Sequence, residues 1–436
     1  MMPCLSSGMR WLTTRNIRIT QCTHTSNFRK FGIPISMHGD GTPTTGLGKA
    51  WGKMADGISW HSCLCRAGQS KANNFIIIMM LDALLISKAA GNITQESMWT
   101  EICWSLYWCF QGVHPDRNAA GVLYRPCDPE YANRLTPLAG GFFLILWVLS
   151  GDLDFMWKRM KLANPSTAAE PCSCCGTNST AVPWTDWRVN ALWVARRWTI
   201  TGYNRRHPQR HMLFKTVPGV SVLTYITDVM HCKNLGPDPV FLGSILRYLT
   251  HYLLHGSPHD NLKQIWAEIR DEYKTSKTQT RYGNLSHNMI HPPSKKLPQL
   301  KGKAAEIKHL ISPLLQVARK YLVPLTDAHT DMIEGLEQLV DIERMLHAHK
   351  TKPRFPPQDA VLFRDACFRF CQCQDSLIRH FHADNTPLFN QTVKSHYICH
   401  LGLLAAYINP SPGGVLGRRR SNACGPSSHQ KFDTRK

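Results

Sequence analysis

The sequence predicts an α/β core, a mixed sheet with covering helices, over residues 31–231, followed by a large α-helical domain over residues 232–410. Three observations carry this expectation. Phe142 to Leu149 is an unbroken apolar run, the pattern of a strand buried on both faces. Shorter apolar runs, set off by glycines and by one stretch of helical period, precede it. From Pro239 onward, apolar residues recur at three- and four-residue spacing through successive segments.

Bulk properties narrow the class. The 436 residues suffice for two or three domains, and an apolar fraction of 43% excludes a disordered chain. The longest apolar run, Phe75 to Ile86, contains Asp82 and is too short to cross a bilayer, so no membrane partner is expected. A formal charge of +21 points to a polyanionic partner, nucleic acid before a membrane surface. Sixteen cysteines, with no apolar signal region after the start, predict reduced thiols and a metal site in place of disulfides. The Asn92-Ile93-Thr94 sequon therefore carries no weight.

Taken in order, residues 1–30 hold no acid and include Arg10, Arg15, Arg18, Arg29 and Lys30. This is the composition of a mitochondrial transit peptide or of an extension upstream of a broken reading frame. Ile33 to His38 reads as a strand ending on Gly39-Asp40-Gly41, whose glycines let the backbone turn and leave the carboxylate open. In isolation Asp40 is a turn aspartate. Trp51 to Cys65, with Gly57 in its middle, predicts a hairpin, and Phe75 to Met80 a third strand. A helix is expected from Thr94 to Phe110, with Met98, Ile102, Leu106 and Phe110 on one face. The Phe142 run then delivers Asp152 at its C-terminal edge, ahead of Leu153, Met156, Trp157 and Met160 at helical spacing. Asp152 either caps that helix or presents a metal-binding carboxylate. Cys172 and Cys175 form a C-x-x-C knuckle, either ordinary thiols or half of a metal site.

Between Ser179 and Val217 the chain interleaves Trp184, Trp187, Trp193 and Trp198 with Arg188, Arg196, Arg197, Arg205, Arg206 and Arg210. That pattern serves nucleic-acid contact or a tryptophan-rich core edge beneath solvated arginines. Val220 to Ile226 predicts a fifth strand running into Asp228-Val229-Met230-His231. Helices are expected over Phe241–Leu254, Asn261–Tyr273, Lys303–Tyr321, Thr330–His347 and Gln358–Phe381. In the last helix, His396 and His400 stand at i and i+4, the spacing of two ligands to one zinc ion. Residues 411–436, basic and without apolar period, read as a disordered tail.

Three strands, a helix and a strand, with an aspartate ending the first and the fourth strand, is the order of the ribonuclease H-like fold. Gly39-Asp40-Gly41, then Asp152 with Cys172-x-x-Cys175, then Asp228-Val229-Met230-His231 with Asn234, then Lys394-x-His396-x-x-x-His400 resembles the CACTA-type DNA transposases over roughly residues 33–410. The resemblance implies a DDE-type, transposon-derived protein. Asp40 and Asp152 would hold two Mg²⁺ (or Mn²⁺) ions about 4 Å apart for phosphodiester cleavage and strand transfer. As in related recombinases, including the catalytic subunit of the V(D)J system, Cys172, Cys175, His396 and His400 would bind a structural zinc, with Cys174 and Cys232 as substitutes. That zinc would pin the helical insertion onto the core. Asp228 and His231 would fix the fifth strand to the insertion and bind no metal. DNA is the implied partner, the nucleus the implied location ahead of the mitochondrion, and a homo-oligomer is compatible with the resemblance.

One departure matters. Beyond His400 the family has a glycine and a catalytic glutamate on a helix, whereas this chain has Gly413-Gly414-Val415-Leu416-Gly417-Arg418-Arg419-Arg420-Ser421 and no glutamate after Glu343. A frameshift or misjoined exon near Pro412 would account for the loss and would leave catalysis impaired. Glu306 and Asp384 are the remaining acids to consider as substitutes. Two further readings stand beside this one: a non-enzymatic, zinc-stabilised DNA-binding protein, and a pseudogene-like translation with no stable role.

Overall fold

The sheet is organised on β1 (Gly32–Pro43), and the structure, a computed structural model, describes residues 28–43, 54–64, 74–88, 91–167, 169–178, 180–278, 280–323 and 326–411. The basic extension before residue 28 and the tail after residue 411 lie outside the described residues. β2 (Met54–Ser62) pairs antiparallel with β1, and β3 (Phe75–Leu81) antiparallel with β2 at the sheet edge. β4 (Phe143–Gly151) runs parallel to β1 on its other side, giving the order β3-β2-β1-β4. A parallel neighbour demands a long crossover, and α1 (Ile93–Gln111) supplies it. Asn92, the sequon asparagine, caps this helix, its side chain accepting from the Gln95 amide at 3.0 Å. Trp99, Ile102, Cys103 and Phe110 are buried on α1, and the Phe110 ring meets Phe143 of β4 edge-on at 6.1 Å.

Two sequence expectations fail within this core. The hairpin expected over Trp51 to Cys65 is a single strand, because β1 is long enough to pair with it from Ile35–Ser62 to Pro43–Met54. Gly57 lies opposite Asp40 in mid-ladder and makes no turn. Residues 51–53 and 65 lie outside the described residues. The fifth strand over Val220 to Ile226 shrinks to one parallel bridge, Tyr225 beside Leu149, with the Ile226 amide donating to the Leu149 carbonyl at 2.9 Å. The cause is local. Ser221 and Thr224 exchange side chain–backbone hydrogen bonds and coil Val222–Thr224 into a 3₁₀ turn, which competes with the ladder.

After β4, Asp152 caps α2 (Leu153–Lys158), and Arg159 at its end pairs with Asp56 of β2 and with Asp82 at 2.7 Å. The rest of the chain is mainly helical. α3 (Pro237–Tyr248) is buried nearly all round, which is why its sequence shows little amphipathic contrast. It starts four residues before the expected Phe241 because Pro237 and Pro239 fit a first turn that needs no amide donors. α4 (Pro258–Thr275), α5 (Ala304–Tyr321), α6 (Asp327–Ala348), α7 (Pro357–Ala383) and α8 (Val393–Leu404) follow the predicted periods closely. One buried apolar cluster runs from Ile35 and Leu149 in the sheet, through Trp193 and Phe241, to Tyr397 on α8. Among the described residues, no helix is long and apolar enough to cross a membrane. The architecture is therefore a mixed α/β sheet joined to a large helical portion.

Candidate metal centres

The first centre is brought together from positions more than two hundred residues apart. Cys172 and Cys175 lie on the extended loop after α2, and His396 and His400 on one face of α8. All four are buried, at 2% exposure or less. Cys172 Sγ is 3.4 Å from His400 Nε2, Cys175 Sγ 3.3 Å from His396 Nε2, and the two Nε2 atoms are 3.1 Å apart. Zinc–sulfur bonds of about 2.3 Å and zinc–nitrogen bonds of about 2.0 Å give a tetrahedron with edges of roughly 3.3–3.8 Å, close to these separations.

The donor chemistry fits a cation. His396 Nδ1 lies 3.1 Å from the Trp184 carbonyl, which accepts only, so the proton sits on Nδ1 and the Nε2 lone pair faces the sulfurs and His400. Donor atoms converging in a buried space suit a cation between them; without one, burial and the Cys172 charge push the Cys175 thiol up, so that its S–H faces the His396 Nε2 lone pair. Burial pushes the Cys172 thiol up, yet hydrogen bonds with Cys174 and Cys175 and the charges of His400 and His396 outweigh it and hold the thiol well below its ordinary range. Burial also lowers His400, favouring the neutral imidazole a metal requires. The group can therefore hold a metal such as zinc. Cys174 and Cys232, the expected substitutes, are not among its donors.

Tryptophans pack this centre. Trp193, fully buried, stacks on Phe368 at 5.7 Å and meets the rings of His396 and His400 at 4.3 and 4.9 Å. Of the two uses open to the tryptophan–arginine stretch, Trp187 and Trp193 take the core, while Arg188, Arg196, Arg197, Arg205 and Arg206 are exposed. Arg188 pairs with Asp186 and Arg206 with Glu170.

The second centre follows from strand register. β1 and β4 pair in parallel up to Gly39 opposite Gly151, so Asp40 and Asp152 stand side by side just past that ladder. Asp152 follows the end of β4, whereas Asp40, expected to end its strand, lies within β1, which stays paired with β2 to Pro43. Both glycines are required there. A Cβ on Gly151 would lie 2.4 Å from the Gly39 carbonyl oxygen, and one on Gly39 would lie 2.0 Å from the Phe155 ring. Asp152 caps α2 through the Phe155 amide and also faces Asp40, so its two sequence readings are compatible.

The sequence expectation gave His231 no part in this group; the structure places it there. Ligand atoms of Asp40, Asp152 and His231 lie within 4.8 Å of one another, all three residues half-buried. His231 Nδ1 is 2.7 Å from Oδ2 of the fully buried Asp228, whose Oδ1 accepts from the Met230 amide at 2.9 Å. Burial disfavours the His231 imidazolium, but the hydrogen bond and charge of Asp228, with Asp40 and Asp152, outweigh it and raise the group above its ordinary value. Glu306 hydrogen-bonds the Lys303 amide at the start of α5, and Asp384 lies at the end of α7; neither belongs to the group.

The residues that follow tie this segment to the helices. Lys233 Nζ, buried, lies 2.8 Å from both Asp238 and Glu343, and Asn234 donates to the same two carboxylates at 3.0 and 2.9 Å. Lys308 of α5 adds a second cation at 3.0 Å from Glu343 of α6. Burial raises Asp238 to about 6 against the pull of Lys233. For Glu343 burial acts the same way, but Lys233 and Lys308 prevail and hold it at about 2. Lys394 of α8 donates to the Leu235 carbonyl at 3.0 Å, tying the helix of the histidine pair to this segment. In the sequence this network shows only as Lys233, Asn234 and Asp238 within an otherwise apolar stretch, a pattern that gave no expectation of it.

Compared with known protein families and curated proteins, the chain matches no family model and no curated sequence.

Proposed function

We propose that the chain is a transposon-derived, DDE-type protein of the CACTA kind with a ribonuclease H-like core, whose ancestral chemistry is metal-dependent cleavage and joining of DNA. The observation that carries this reading is the Gly39–Gly151 register, the last pair of the parallel ladder, which sets Asp40 of β1 beside Asp152 at the end of β4. The strand order, the lone bridge of Tyr225 beyond β4 and the paired cysteines and histidines add support. Of two divalent cations held by Asp40 and Asp152, one would activate the attacking oxygen and the other stabilise the leaving one. The carboxylates bind and orient them, Mg²⁺ or Mn²⁺ suiting their hard oxygens. Zinc on the Cys₂His₂ group would fasten α8 to the loop after α2 and so steady the sheet end. Gly413 to Ser421 stands where the family has its catalytic glutamate, and in this reading catalysis would be impaired. A nuclear location and homo-oligomeric assembly accompany this proposal.

The second reading, a non-enzymatic, zinc-stabilised DNA-binding protein, draws on the same missing glutamate and on exposed Arg196, Arg197, Arg205 and Arg206. Incubation of the full chain with supercoiled DNA and Mn²⁺ or Mg²⁺ separates the two. Slow nicking that disappears in both Asp40→Asn and Asp152→Asn is the expected result. Salt-sensitive binding without nicking favours the second reading, and nicking that persists in both variants sinks the first.

A further inference from the structure

His231 is placed as metal-ligating histidines are placed. Its Nδ1 is engaged by a carboxylate that is itself fully buried and fixed by a backbone amide, which sets the ring's orientation and leaves Nε2 for a ligand. Both Asp228 oxygens are occupied in this way, so Asp228 orients and does not ligate. The backbone carrying His231 is a π-helical turn, Met230–Asn234, a local widening common at functional positions. Lys233 and Asn234 hold that turn against Asp238 and Glu343, so the ring's placement rests on a buried ionic network. Across from it stand Asp40 and Asp152 at the sheet end.

We infer that His231 Nε2 is the third ligand of a divalent cation held with Asp40 and Asp152, with Asp228 as its positioning residue. The inference rests on the aspartate pair being a cation site, and it changes which ion that site selects. Two carboxylates alone suit Mg²⁺; two carboxylates and an imidazole favour a borderline ion such as Mn²⁺, Co²⁺ or Zn²⁺. The third position that the family assigns to a carboxylate would be filled here by a neutral donor, leaving the bound ion with one more unit of positive charge.

Pulsed electron paramagnetic resonance of Mn²⁺ on the full chain, with the Cys₂His₂ group already zinc-loaded, tests this directly. One Mn²⁺ should bind with ¹⁴N modulation from a single imidazole, and Mg²⁺ should displace it poorly. His231→Ala should remove the modulation and weaken Mn²⁺ roughly tenfold, narrowing the Mn²⁺/Mg²⁺ preference. Asp228→Asn should keep the modulation while weakening Mn²⁺ to a similar degree. Retained zinc and helical circular dichroism identify folded variants, and His231→Gln replaces any that unfolds. Mn²⁺ bound without nitrogen coupling overturns the role of His231 and leaves the aspartate site standing, as does an imidazolium that merely neutralises the acids. A folded, zinc-loaded chain that binds no Mn²⁺ overturns both.

Discussion

The two centres are made of similar parts and differ in closure. The Cys₂His₂ group is sealed, with four donors within 4.8 Å of one another and every one buried. The Asp40–Asp152–His231 group is open, with three half-buried donors at the end of a sheet. A closed tetrahedral set leaves no coordination position for substrate and serves structure, whereas an open set leaves room for water or a phosphate oxygen. The difference teaches that chain separation is no guide to function. Cys172 and His400 are joined across 228 positions in the closed group, and Asp40 and Asp152 across 112 in the open one.

The comparison breaks first if the closed centre is not structural. Cys172→Ser should abolish the bound zinc, measured as metal per chain, and remove on the order of 5 kcal/mol or more of stability, because zinc binding is coupled to folding. A zinc-free variant that unfolds at the wild-type temperature would refute that role. Next in size is Lys233→Met. It leaves Asp238 and Glu343 without their shared buried cation, at a cost of about 3–5 kcal/mol in chemical denaturation. Loss of under about 1 kcal/mol would mean the network does not hold the segment.

How far the sequence reached follows the same division. Asp152, both cysteines and both histidines stand in local patterns, a strand end, a knuckle and an i,i+4 pair, whereas Asp40, read as a strand end, lies inside β1 because β2 keeps pairing with it to Pro43. Lys233, Asn234 and Glu343 were not, because their meaning is a burial that only tertiary packing creates. His231 was read as an anchor for the same reason: Asp228-x-x-His231 reveals that the two can touch, and nothing in it says which way the free nitrogen points. The fifth strand failed because β-branched residues predict a strand while Ser221 and Thr224 decide the turn.

Glu343 makes the network visible to pH. Its folded value of about 2 lies below its ordinary 4.5, so its contribution is fully present above about pH 4.5 and is lost as pH falls from there through 2. The stability difference between wild type and Glu343→Gln should therefore be largest near pH 5 and shrink toward pH 2, by about 3 kcal/mol over the range. Taking the difference cancels zinc release, which both proteins share. A difference that stays flat with pH would contradict the ionised, paired Glu343. Smaller again is Gly151→Ala, whose methyl group presses on the Gly39 carbonyl. It should cost about 2 kcal/mol and weaken Mn²⁺ binding while zinc content stays at the wild-type level.

The smallest stability effect carries the sharpest distinction. Asp152 is both a helix cap and a proposed ligand, and the two roles ask different things of its side chain. A cap needs an acceptor oxygen for the Phe155 amide, which asparagine supplies as well as aspartate does. A cation needs the negative charge, which asparagine lacks. Asp152→Asn should thus change stability by only a few tenths of a kcal/mol while abolishing Mn²⁺ binding, whereas Asp152→Ala should lose the ion and about 1 kcal/mol together. Equal Mn²⁺ affinity in wild type and Asp152→Asn would return Asp152 to capping alone. The open centre would then be a strand end with two acids and a histidine, and the contrast with the closed centre would rest on zinc alone.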